Sequence, residues 1–367
     1  MSYQNYFKKF TSGVLKKFLS AEIKSEKVLP IPENILVVRQ HNQFGDMLAS
    51  VSLFRALKET YPSVSITLLA SPENYFAVDK NKYIDHVFIF DKKKLINPVY
   101  LFNLKKVLNI KYDLAIVPAT VAISSTSCIL AALSSSTIKI GPNSLDGAIN
   151  PMNYVFNYRI DLNWKKCPDA HVSDFILDIV RPFNISTKKY FSLFTFEDDE
   201  MDYADKFIQS LHRVDDELLI GFHVGAGKPQ NRWNLSNYVE LINELSKKIS
   251  MKFYFTGSDA DKEEISYIKK YFPDAGYFLN KTIPRVSALI EISDLFITND
   301  TGIMHVAGAT RVPQISLFGP TNPFNWAPVG DAKYFIRKSD LMNDITVKDV
   351  FNLVQYVLEK HKKDNDE

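Results

Sequence analysis

Three polar turns hold the residues whose types and spacing suit chemistry. In VVRQHNQFGDMLAS (37–50) an apolar strand ends near Val38, and Gly45 and Asp46 open a helix. Gly45 lets the backbone turn tightly. Asp46 then has two readings: a carboxylate that caps the helix and complements its dipole, or one that takes a proton from a hydroxyl nucleophile. In LLIGFHVGAGKPQNRWNLSNY (218–238) a strand ends in His223–Gly225 and a Gly-rich loop follows, with Lys228 and Arg232 as its cations. Small glycines, free backbone N–H groups and cations suit a phosphate. The plainer alternative is a surface loop pinned by Trp233. In FITNDTGIMHVAGATRVPQISLFGPTNP (296–323), Thr301 and Gly302 stand at a helix start, where unpaired N–H groups and the positive dipole end favour an anion. Asp300 would repel a phosphate directly, so it braces the loop or meets a hydroxyl. His305 lies one turn in, on the face of Thr301, as a core histidine or as part of the site. Between the last two turns, FYFTGSDADKEE (253–264) sets Gly257 after another strand and offers Asp259 and Asp261 to a ribose.

Other chemistries fit less well. Aspartic proteases pair two Asp-Thr-Gly turns, and this chain has one. Nothing with metal-ligand spacing accompanies His223, Asp300 and His305, so no metal is expected. No Gly-x-Gly-x-x-Gly follows Val38, which disfavours a dinucleotide oxidoreductase.

The elements that must position these turns alternate. Strands are expected at Ile35–Val38, Val64–Ala70, Val87–Phe90, Asp113–Pro118 and Thr137–Ile140, with a helix over Met47–Thr60. Residues 142–175, rich in Asn, Pro and Tyr, read as irregular. Alternation resumes with strands at Leu218–Val224, Met251–Thr256, Leu295–Thr298, Pro313–Phe318 and Tyr334–Arg337. Helices are expected at Ser236–Ile249, Asp261–Tyr271, Pro284–Ile292 and Thr346 to about His361, before a solvated tail. Repeated βα units imply parallel sheets with helices on both faces. The expected layout is an amphipathic extension (1–30), two doubly wound domains (31–175 and 176–345) facing a central cleft, and a terminal helix with its tail (346–367). Ligands in such folds bind beyond the carboxyl ends of strands.

Bulk properties agree with this. The 367 residues suffice for two domains with full cores, and 46% hydrophobic content is ordinary for a globular protein. A net charge of +2 makes no demand for nucleic acid. Cys128 and Cys167 make no disulfide framework, and neither a membrane-spanning run nor a signal peptide is evident, so a cytoplasmic location is expected. One segment stands out. Tyr3, Tyr6, Phe7, Phe10, Val14, Leu15, Phe18 and Leu19 recur at helical spacing, with Lys8, Lys9, Lys16 and Lys17 between them. That stripe either packs on the protein or a second subunit, or lies on an anionic membrane surface.

The order of the turns over roughly residues 35–330 resembles glycosyltransferase family 9, the ADP-heptose:lipopolysaccharide heptosyltransferases. The carrying motifs are Gly-Asp opening a helix (ILVVRQHNQFGDMLASVSLFRALKETYP), His-x-Gly-Ala followed by a basic residue and Arg-Trp (HVGAGKPQNRW), and Asp-Thr-Gly-x-x-His-x-Ala followed by Phe-Gly-Pro-Thr (DTGIMHVAGATRVPQISLFGPTNPFNW). The resemblance implies a GT-B fold and inverting, metal-independent transfer with no cofactor. It implies Asp46 as general base, with Gln43 and Gly45 on the acceptor side. It puts the donor diphosphate on Thr301 and Gly302, with His223, Gly225, Gly257, Asp300 and His305 around the donor and Asp261 towards its ribose. The donor would be ADP-heptose, and the acceptor a lipid-linked or oligosaccharide sugar at the cytoplasmic face of the inner membrane. One departure matters. Many members have Lys just before Arg-Trp, where this chain has Asn231, so the phosphate-facing charge falls to Arg232 or Lys228. The remaining alternatives are a transferase using another nucleotide sugar such as a UDP-hexose, a nucleotide-sugar epimerase, and a non-catalytic nucleotide-sugar binding protein.

Overall fold

The computed structural model describes residues 16–40, 44–192, 194–214 and 216–366, the last four as backbone only. Leu36–Val38, Leu114–Val117 and Leu295–Ile297 are apolar at every position and essentially inaccessible to solvent. Such strands must be covered on both faces, which a parallel sheet between helix layers achieves. Two sheets form, one in each of two compact units, Met1–Tyr190 and Phe191–Glu367.

The first sheet contains β1 (Asn34–Arg39), β2 (Ser65–Ala70), β3 (His86–Ile89), β4 (Tyr112–Ile116), β5 (Ser136–Leu145), β6 (Ala148–Ile149) and β7 (Tyr158–Leu162). Its order is β3-β2-β1-β4-β5-β6, with β7 also on β5. All pairs are parallel except the β5–β6 hairpin. The stretch read as irregular therefore holds a strand: β7, YRIDL, interleaves polar and apolar residues and gave no apolar run to recognise. The expected single helix over 47–60 is two, Phe44–Ala49 and Val51–Thr60. They part at Ser50, whose N–H bonds the Met47 carbonyl only three residues back and whose hydroxyl takes the Asp46 carbonyl at 2.8 Å.

Of the amino-terminal stripe, Lys16–Leu19 are helical; Phe18 is exposed while Leu19 packs on the first unit's core. Tyr3, Tyr6, Phe7, Lys8, Lys9, Phe10, Val14 and Leu15 lie outside the described residues, as does Gln43. No helix among the described residues is long and apolar enough to cross a membrane.

The second sheet contains β8 (Leu218–His223), β9 (Met251–Gly257), β10 (Gly276–Leu279), β11 (Leu295–Asn299), β12 (Gln314–Phe318) and β13 (Lys333–Arg337), in the order β10-β9-β8-β11-β12-β13 and parallel throughout. The short β10 and the helix Asp198–Ser210 are additions to the elements read from the sequence. The last helix, Val347–Asp366, buries Val350, Val354 and Val357, one stripe at helical spacing, and its backbone continues through the expected tail.

Both sheets reverse their winding once, between β1 and β4 in the first unit and between β8 and β11 in the second. At such a point the connections on either side leave in opposite directions and open a crevice at the strands' carboxyl ends.

Candidate active site

In the first unit that crevice holds Asp46. Its carboxylate is buried in the first turn of Phe44–Ala49. Its Oδ1 accepts from the Thr120 hydroxyl at 2.6 Å and lies 3.3 Å from Nη2 of Arg39. Arg39 closes β1, and Thr120 follows β4, so the strands flanking the reversal each supply one group. The three form a closed set, because Arg39 Nη2 also donates to Thr120 Oγ1 at 2.7 Å, while Nη1 donates to the Pro118 carbonyl at 3.3 Å. Trp164 fixes Thr120 through a 2.8 Å bond from Nε1 to its carbonyl and stacks on Phe175. Burial pulls the Arg39 guanidinium below its ordinary range, opposed by the Asp46 charge. Oδ2 of Asp46 has no hydrogen-bond partner among the described residues. Gly45 is half-buried beside it.

In the second unit the crevice is lined by the loop after β8 and the turn after β11. Asn299, fully buried, joins the two. Its Oδ1 accepts from Trp233 N at 3.1 Å and Tyr238 OH at 3.0 Å, and its Nδ2 donates to the carbonyls of Val224 at 2.9 Å and Gly225 at 3.1 Å. Trp233 is pinned from its other end by a 2.8 Å bond to the Ile345 carbonyl. Asp300 accepts from Asn231 Nδ2 at 2.7 Å. Burial raises the Asp300 pKa above the usual carboxylate value, opposed by a hydrogen bond with Thr321 and the charge of Lys228. Thr301 is extended and caps Gly302–Gly308 without a side-chain cap bond; Gly302 has open space where a Cβ would stand. His305 is half-buried, edge-on to Trp326.

Behind the loop, His223 is buried, with Nδ1 3.0 Å from Thr256 Oγ1. Burial lowers its pKa, opposed by the charge of Asp261 and a bond to the Thr256 backbone. Asp261 closes its own turn by accepting from Ser258 N at 2.8 Å and Ser258 Oγ at 2.9 Å. Its other oxygen would lie 1.9 Å from a Cβ at position 225, so Gly225 leaves no room for any side chain there. Gly257 ends β9 under Ile265 and Leu279.

The sequence profile of glycosyltransferase family 9 (heptosyltransferase) matches residues 101–354. The chain belongs to glycosyltransferase family 9. Lipopolysaccharide heptosyltransferase 3 of Escherichia coli K12 is 23% identical over 300 residues, 77% of this chain and 82% of the relative. A glycosyl transferase family 9 structure from Veillonella parvula has a TM-score of 0.77 at 18% identity, covering 91% of this chain and all of that one (100%). The structure of Escherichia coli ADP-heptose lps heptosyltransferase II has a TM-score of 0.70 at 21% identity, over 90% and 99% of the two chains. The fold is accordingly GT-B, built from two Rossmann-like units.

Within this family 9 glycosyltransferase, His223, Gly225 and Asp261 come together on one side of the loop, and Asn231, Lys228 and Asp300 on the other. Arg232 faces elsewhere: it pairs with Glu264, which is buried, and donates to the Ala226 carbonyl at 3.2 Å. Lys228 is exposed, with its charge next to Asp300. Sequence reasoning passed over Arg39, Thr120, Asn299 and Thr321. An arginine closing the wholly apolar run Ile35–Val38 was a visible signal, since a buried guanidinium needs a carboxylate nearby. Thr120 carried no signal, because only the pairing of β1 with β4 brings it to Asp46.

Proposed function

We propose that this glycosyltransferase moves a heptose from ADP-heptose to a sugar hydroxyl of a lipopolysaccharide core or related surface glycan, with inversion and without a metal. The observation that carries the reading is the Asp46 carboxylate, with Oδ1 held by Arg39 and Thr120 and Oδ2 unpartnered among the described residues. A buried oxygen of this kind calls for a donor, and an acceptor hydroxyl is one. As that hydroxyl oxygen bonds to the anomeric carbon, its proton passes to Oδ2. The bond to the nucleoside diphosphate breaks on the opposite face, and the sugar centre passes through an oxocarbenium-like state. Charge growing on the departing diphosphate is met by the N–H groups at Thr301–Gly302 and by Lys228. His223, Gly225, Gly257, Asp261, Asp300 and His305 shape the remaining donor pocket in this reading.

The donor is carried over from the relatives, which are named as lipopolysaccharide or ADP-heptose heptosyltransferases. A lipid-anchored acceptor would hold the enzyme at the cytoplasmic face of the membrane as a peripheral protein, with the amino-terminal stripe from Tyr3 to Phe18 as one contact. Calorimetry against ADP, UDP, GDP and CMP tests the donor assignment. Preference for ADP supports it, and preference for UDP replaces it with a UDP-hexose. Binding with no transfer to any acceptor sugar would move the protein to the binding-protein class.

A further inference from the structure

We infer that residues 92–111 form a lipid-facing surface of the first unit, suited to an anionic bilayer. The inference rests on the peripheral-membrane reading above and names a contact distinct from the amino-terminal stripe.

No acidic residue stands between Asp91 and Asp113, while Lys92, Lys93, Lys94, Lys105, Lys106 and Lys111 do. All six lysines are exposed. Large apolar side chains lie bare among them: Ile96 is 92% exposed, Val99 68% and Phe102 58%. These are not loose ends. The helix Pro98–Leu108 is capped by Asn97, whose Oδ1 accepts from Val99 N at 2.9 Å and Tyr100 N at 3.2 Å. It is pinned by Tyr100 OH, which donates to the Ile89 carbonyl at 3.0 Å, and by burial of Leu104 and Leu108. At about 100° per residue, Val99, Phe102 and Lys106 fall on the pole opposite Leu104 and Leu108. Lys106 Nζ sits 4.5 Å from the Phe102 ring, so apolar and cationic groups share that pole.

A fixed helix with an apolar outer pole, lysine flanks and no carboxylates has the chemistry of an interfacial element. Its rings and branched side chains enter the headgroup boundary while the lysines meet lipid phosphates. Lys92–Ile96 follow β3, as Asp46 follows β1, so in a parallel sheet both lie at the same end of the unit. The surface therefore begins at the end of the unit where a lipid-linked acceptor is to be deprotonated, and the helix carries it back along the flank to Lys111, which precedes β4.

The test uses the full chain and vesicles of phosphatidylglycerol with phosphatidylethanolamine, against phosphatidylcholine alone. The intact protein is expected to float with the anionic vesicles only. A variant carrying Val99→Ser, Phe102→Ser, Lys105→Gln and Lys106→Gln should partition at least about 25-fold more weakly, from about five-fold per lysine alone. Its melting temperature, and its transfer to a soluble acceptor sugar, should be unchanged. A variant lacking residues 2–15 should keep most of the binding. If the four-site variant binds as well as the intact chain while the deletion abolishes binding, the surface is wrong and the membrane reading stands. If the intact chain binds no vesicles, both fall. If the four-site variant instead converts a dimer to a monomer, a second copy covers this face and the inference is overturned.

Discussion

Asn231 donates from Nδ2 to Oδ2 of Asp300 at 2.7 Å, which makes a neutral amide the partner of the Asp-Thr-Gly carboxylate. The bond ties the loop after β8 to the turn after β11. Asn231 is 6% exposed, so water replaces the amide poorly. Asn231→Ala should lower unfolding free energy by about 1.5–3 kcal/mol, the range for a hydrogen bond to a charged group. Urea unfolding measures it, and a loss within error would mean that the bond contributes nothing.

Asp300 itself titrates high because it is buried. An unfolded chain releases this proton near the ordinary aspartate value, whereas the folded one holds it to higher pH. Folding therefore takes up a proton in that window, and stability falls as pH rises through it. Asp300→Asn keeps an acceptor for Asn231 and removes the titration. Relative to wild type, the variant should gain stability in the ligand-free enzyme as pH goes from below 4 to neutral. Parallel curves of melting temperature against pH for the two proteins would contradict this.

Lys228 and Arg232 should separate cleanly. Lys228→Ala should weaken ADP binding by about 1.5–3 kcal/mol, as for a charge-assisted contact, and cost only a little stability through the lost charge beside Asp300. Arg232→Ala leaves the Glu264 carboxylate buried and unpaired. Its cost should be about 2 kcal/mol of stability, below the 3–5 kcal/mol of a fully buried pair because the guanidinium is partly exposed. Calorimetry and thermal melting on both variants would show whether the roles are reversed.

Asp46→Asn should lower kcat by about 100-fold or more. It should also destabilise the protein by about 3–5 kcal/mol, since Arg39 is left with an uncompensated buried charge. Combining it with Arg39→Met should recover much of the stability and none of the turnover. A double variant with restored activity would remove Asp46 from the proton transfer.

The parallel strands were legible because they are apolar on both faces: ILVV in β1 and LFIT in β11 are short, rich in β-branched residues and bounded by polar turns. The polar turns were legible because Gly and Asp recur at strand ends. β7 was not, since its alternation sits within a stretch dense in Asn and Pro. The Asp46 carboxylate was legible as a candidate, but its partners were not. Arg39 and Thr120 are 81 positions apart and meet only through strand order. Likewise the pairing of Arg232 with Glu264 lies outside the loop, and nothing in the loop's own composition points to it.

Asn299 carries a consequence for binding thermodynamics. Its four bonds are all internal to the protein and hold Val224, Gly225 and Trp233 at once. A loop that ordered only on meeting its ligand would give up about 1–2 kcal/mol of backbone freedom per residue at that moment. Here that loss is already incurred on folding, so contact energy with a nucleotide appears as affinity rather than being spent on ordering. The Trp233 amide, bonded to a side chain with no access to water, should exchange its hydrogen slowly in the free enzyme and change little when ADP is added.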